Sequence, residues 1–114
     1  MQQTIKDIMI VVFDKAYLRD FYEKGKCTDK KHRYQPSVIK SYKRAIDYLK
    51  QAESVEDLYL FKSLNFEALH GDKKGLFSIR AGIQYRIEFN ITKHMEESIL
   101  TICNIIDLTN HYER

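Results

Sequence analysis

No run of apolar residues in this 114-residue chain is long enough to cross a bilayer. The longest, Ile8 to Phe13, is strand-sized, against the roughly 18 residues that a helical span requires. Cysteine is scarce: Cys27 and Cys103 stand far apart and form no metal or redox motif, so two reduced thiols are expected. The four glycines build no glycine-rich strand-to-helix turn of the kind that cradles a nucleotide, and no His/Cys/Asp/Glu spacing matches zinc. Neither cofactor nor metal is expected. There is no internal repeat, low-complexity tract or linker, so residues 1–114 are read as one domain. Met1 to Lys6 is polar and resembles neither a secretory signal nor a transit peptide, which makes cytoplasm the expected compartment, with Met9 as an alternative start.

What is present suits a folded protein. The chain is 44% hydrophobic and 31% charged, and a chain of this size buries roughly two-thirds of its unfolded surface. The formal net charge is only +3, but residues 1–50 hold twelve Lys and Arg against six Asp and Glu, whereas residues 51–114 hold seven against ten. A basic half of this kind can track a polyanion or an acidic partner segment.

Ile8 to Asp14 reads as a strand covered on both faces and interior to its sheet. Asp14 is placed to cap a short helix over Lys15 to Lys24, which Gly25 stops. The loop Lys26 to Gln35 is the most basic stretch, with Lys30, Lys31 and Arg33 as candidate contacts to a polyanion such as RNA or to an acidic partner peptide. Pro36 suits the first turn of a second helix, whose apolar face is Val38, Tyr42, Ala45, Ile46 and Leu49. Ser54 and Asp57 resemble a capping box opening a short turn of helix, and Glu67 to Lys74 reads as a loop.

From Leu76 the period becomes two. Keeping the apolar residues on one face sets Phe77 opposite Phe89, Ile79 opposite Ile87 and Ala81 opposite Tyr85, with Gly82 to Gln84 as the loop. The same register puts Arg80 directly opposite Arg86. Like charges so placed repel by up to about 1 kcal/mol, and either a bound phosphate or a carboxylate such as Glu88 must compensate. Ser98 to Leu108 reads as a central strand. The element order predicts an α+β fold: two helices from the N-terminal half on a twisted, mostly antiparallel four-stranded sheet.

The stretch Glu67 to Phe89, EALHGDKKGLFSIRAGIQYRIEF, resembles the HigB-like branch of the RelE/ParE toxin superfamily. The shared pattern is a basic residue before Gly-Asp, then Gly-x-aromatic-Ser-Ile-Arg, then aromatic-Arg-Ile-x-Phe. The resemblance implies a RelE-like (microbial RNase-like) fold and cleavage of mRNA on the ribosome. It also implies a cognate, HigA-like antitoxin, with the toxin itself a monomer that forms higher-order assemblies only with that partner. His70, Lys73, Arg80 and Arg86 match family positions. Asp107 matches the start of a family Asp-Tyr-His ending, while His111 and Tyr112 stand further along than the family's Tyr and His. Some relatives carry histidine where this chain has Glu67.

RNA can be cut without metal when its 2′-OH attacks the adjacent phosphorus, given a base, an acid and cations for the phosphorane. Arg80, Arg86 and Lys73 are candidates for the phosphate, and His70 and His111 for proton transfer. Glu67 or Asp107 would orient a histidine, and Tyr112 would stack on a base or assist proton transfer. Lys74 serves either as an RNA contact or as a solvated charge. His32 and His94 are read as surface residues, Tyr42 and Tyr48 as helix core or rim. Two other readings stay open: a ParE-like toxin that poisons DNA gyrase through protein contacts, and an inactive relative that only binds antitoxin.

Overall fold

The computed structural model describes residues 7–26 and 30–110. Its elements run β1 (Asp7–Phe13), α1 (Ala16–Glu23), α2 (Pro36–Gln51), β2 (Glu67–Ala68), β3 (Phe77–Ala81), β4 (Tyr85–Met95) and β5 (Ile99–Asn110). The fold class is α+β as expected, but the sheet has five strands, ordered β1-β5-β4-β3-β2. The additional strand, β2, is two residues of the stretch read as loop; it pairs Glu67 with Ser78 and Ala68 with Phe77.

β1 is not interior. Among the described residues it pairs only with β5, in parallel, and so forms one edge of the sheet. Ile8 and Val12 are 38% and 40% exposed, so its second face is not fully covered. An unbroken β-branched run fits an edge strand as well as a central one, and the connectivity decides between them. β5, flanked by β1 and β4, is central as its sequence indicates. The β3–β4 register matches the expected one at every pair, Arg80 opposite Arg86 included.

One buried cluster joins the sheet to the helices. Ile79, Ile87, Phe89 and Ile105 meet Leu18 and Phe21 of α1 and Tyr42, Ile46 and Leu49 of α2, all fully buried. Burial of each such side chain contributes about 1.5–3 kcal/mol. On α2 Ile39 takes the buried place expected for Val38, which is only half-buried. Pro36 occupies the first turn, where its missing N–H costs nothing. Neither helix has a side-chain N-cap: Lys15, not Asp14, precedes α1. The Ser54–Asp57 segment forms a 3-10 turn over Glu56–Tyr59, and there Asp57 Oδ2 accepts the Glu53 N–H at 3.0 Å.

Between the pairs Glu88–Asp107 and Phe89–Ile105 the register shifts by one residue on β5. The resulting bulge keeps Ile105 and Leu108 both buried while turning Asp107 to the other face. Tyr34 O–H donates to the Leu108 carbonyl at 2.7 Å, tying the segment before α2 to the end of β5. Among the described residues no helix is long and apolar enough to cross a membrane.

Candidate active site

Alternation along β4 and β5 sends Ile87 and Leu108 into the core and Arg86, Glu88, Asp107 and Thr109 to the other face. There the start of β4 and the end of β5 meet the segment Lys31–Tyr34 and the Glu67–Lys73 turn, enclosing a cleft of about 860 Å³. Its charged lining consists of Lys31, Arg33, Lys73 and Arg86 against Glu67, Glu88 and Asp107.

These charges are interleaved. Arg86 Nη1 donates to Glu67 Oε1 at 2.5 Å and lies 3.4 Å from Ser78 Oγ. The Arg86 side chain is 11% exposed and that of Glu67 is 47% exposed. Lys73 Nζ donates to Glu88 Oε2 at 2.6 Å, with Glu88 nearly buried. Asp107 stands directly across from Glu88, and its Oδ1 accepts the Leu108 N–H at 2.9 Å. His32 stacks flat on Tyr17, with ring centroids 3.7 Å apart and planes 4° apart. An anionic group entering the cleft would compete with Glu67 for a guanidinium that is already oriented; a forked cation of this kind holds phosphate in two-point geometry.

Of the residues singled out in the sequence, the cleft brings together Lys31, Arg33, Lys73, Arg86 and Asp107. His70, Lys74 and Lys30 are exposed and do not line it. Arg80 departs from expectation. Its Cα faces Arg86, yet its side chain lines a separate cavity against α2. The two guanidinium groups therefore do not form one cradle. Arg86 takes the carboxylate remedy, supplied by Glu67 rather than Glu88, and Arg80 leaves over the β3 edge, which β2 is too short to extend. His111 and Tyr112 lie outside the described residues, as does Cys27; Cys103 is buried and reduced. His32, read as a surface residue, is half-buried and lines the cleft. Its place depends on Tyr17, far away in sequence, and only the aromatic at that helix position hinted at it.

Residues 11–108 match the family model described as RelE-like toxin of type II toxin-antitoxin system HigB. The chain belongs to the HigB-like toxin family. It is similar to Toxin HigB-1 of Vibrio cholerae serotype O1, with 38% identity over 82 residues that cover 71% of this chain and 82% of that protein. It also resembles the solved YoeB/ParE toxin from Agrobacterium tumefaciens, at a TM-score of 0.49 and 17% identity, over 91% of this chain and 100% of that one. As a HigB-like toxin of a type II system, the protein has an antitoxin as its counterpart.

Proposed function

We propose that this HigB-like toxin is an endoribonuclease that cuts mRNA on the ribosome, acts as a monomer in the cytoplasm, and is neutralised when its antitoxin binds. The observation that carries this reading is the Arg86–Glu67 pair, half open to solvent on its carboxylate side, beside Lys73 in one cleft. A scissile phosphate takes Arg86 from Glu67, and the released carboxylate accepts the proton of the 2′-OH. The 2′-oxygen bonds to phosphorus while Arg86 and Lys73 stabilise the phosphorane charge. The bond to the 5′-oxygen then breaks, and His32 supplies the proton to the leaving group. The products are a 2′,3′-cyclic phosphate and a 5′-hydroxyl. Asp107 orients groups at the sheet end, Lys30, Lys31 and Arg33 hold RNA backbone at the rim, and His70 and Lys74 contact RNA from outside the cleft.

The test is cleavage of a defined mRNA on programmed ribosomes by the purified chain, with primer extension as the readout. Arg86→Ala should slow cutting by a factor on the order of 100 to 1,000, the loss typical of one transition-state donor. Intact mRNA with the wild-type chain, together with inhibition of gyrase supercoiling, would reject the nuclease reading in favour of a gyrase poison.

A further inference from the structure

The cavity that receives Arg80 has a volume of about 390 Å³, and its lining also includes Arg44, Ser41, Ser63 and Tyr48 but no carboxylate. Neither arginine makes a hydrogen bond or ion pair among the described residues. The single carboxylate of α2, Asp47, is instead occupied by Tyr22 O–H at 2.5 Å. The cavity wall thus carries two guanidinium groups and several hydroxyls with no acid among its lining residues, a locally positive surface.

This cavity and the cleft share no lining residue, but a third cavity adjoins both. That third cavity, over the β3–β4 hairpin, shares Arg33, Tyr34 and Tyr85 with the cleft, and Ser41 and Gly82 with the Arg44–Arg80 cavity. Gly82, at φ +76°, lies against α2 so closely that a Cβ there would stand 3.2 Å from Ser41 Oγ. The hairpin tip thus rests on α2, and this contact stands between the Arg44–Arg80 cavity and the one beside the cleft, low enough in side-chain bulk for a strand to cross. Across the hairpin the linings carry Tyr34, Tyr85 and Arg33 on one side and Arg44 and Arg80 on the other, the combination that follows a single strand by stacking and backbone charge.

We infer that the Arg44–Arg80 cavity is a remote phosphodiester subsite for the same RNA strand that occupies the cleft, reached over the β3–β4 hairpin. A strand with phosphates at regular intervals can fill both ends of the path, whereas a lone acidic side chain from a protein partner fills one. The inference rests on the nuclease reading.

The test is fluorescence anisotropy with the full chain and 2′-O-methyl RNA, which cannot be cut, in lengths of about 3 and about 10 nucleotides. The longer strand should bind at least about tenfold more tightly, and Arg44→Ala with Arg80→Ala should erase that gain while leaving the short strand unaffected. The slope of log affinity against log salt for the longer strand should fall by about 0.7, one phosphate's worth for a single strand. The charge-keeping pair Arg44→Lys and Arg80→Lys should retain most of the slope, and thermal melts of all variants should coincide, since both arginines are exposed. Equal affinities for both lengths in a chain that cuts mRNA on ribosomes would overturn the path and leave the nuclease reading standing. A double variant that binds oligonucleotides normally but ribosomes or antitoxin less well would also overturn it, assigning the cavity to a separate RNA or to a protein. A wild-type chain that neither cuts nor binds RNA would remove both.

Discussion

Replacing Asp107 by Asn should make the protein more stable and less toxic. Glu88 and Asp107 are direct partners across β4 and β5, both lining the cleft, and Glu88 is only 7% exposed. Like charges facing each other across strands repel by up to about 1 kcal/mol, and the upper end applies to a pair this poorly exposed even with Lys73 2.6 Å from Glu88. Asn keeps an Oδ1 to accept the Leu108 N–H at 2.9 Å, so the substitution removes charge without removing the hydrogen bond. Urea unfolding should show a gain of about 1 kcal/mol, or roughly 4 °C in a thermal melt, shrinking in high salt. Growth after induction should recover in parallel, as expected where a functional site holds charge at the expense of stability. A loss of more than about 1 kcal/mol would refute the reasoning, because it would mean that the cations of the cleft bind both carboxylates at a net profit.

Tyr42→Phe deletes a buried O–H that donates to the Leu18 carbonyl at 2.8 Å. It should destabilise by about 1 kcal/mol in urea titrations, with toxicity per folded molecule unchanged. Burial pushes the Cys103 thiol up to about 12, whereas the same thiol in the unfolded chain titrates near 9. The folded state therefore holds a proton that the unfolded state releases. This contribution is complete below pH 9 and is lost as pH rises towards 12, at up to about 1.4 kcal/mol per pH unit. Urea midpoints at pH 8 and pH 10.5 should fall more steeply for the wild type than for Cys103→Ala; equal slopes would reject the assignment. Tyr22, raised to about 12 chiefly by its hydrogen bond to Asp47, adds a second loss between pH 10 and pH 12, which Tyr22→Phe should remove.

Much of this architecture is legible in the residues. The β3–β4 register follows from alternation alone, since a slip of one residue would turn Phe77, Ile79 and Ala81 away from the face that Ile87 and Phe89 share. The second helix follows from its proline and its single apolar stripe. Other features depend on contacts between distant segments. The edge position of β1 is set by the order in which the strands assemble, and the two-residue β2 has too few residues to carry a pattern. In the site, backbone pairing of Arg80 with Arg86 was readable, but the direction of a long arginine stem is decided by what lies within reach. For Arg86 that is Glu67, and for Arg80 the hollow against α2. His32 could not be placed without knowing that its segment folds back onto Tyr17.

The central claim is that the Arg86 cleft cuts RNA by using the strand's own 2′-hydroxyl. Brief induction in cells, followed by sequencing of new RNA 5′ ends with their terminal chemistry resolved, tests it most directly. The account predicts new ends within open reading frames that carry 5′-hydroxyls and vanish with Arg86→Ala. New ends bearing 5′-phosphates, or none above background while growth still stops, would contradict it.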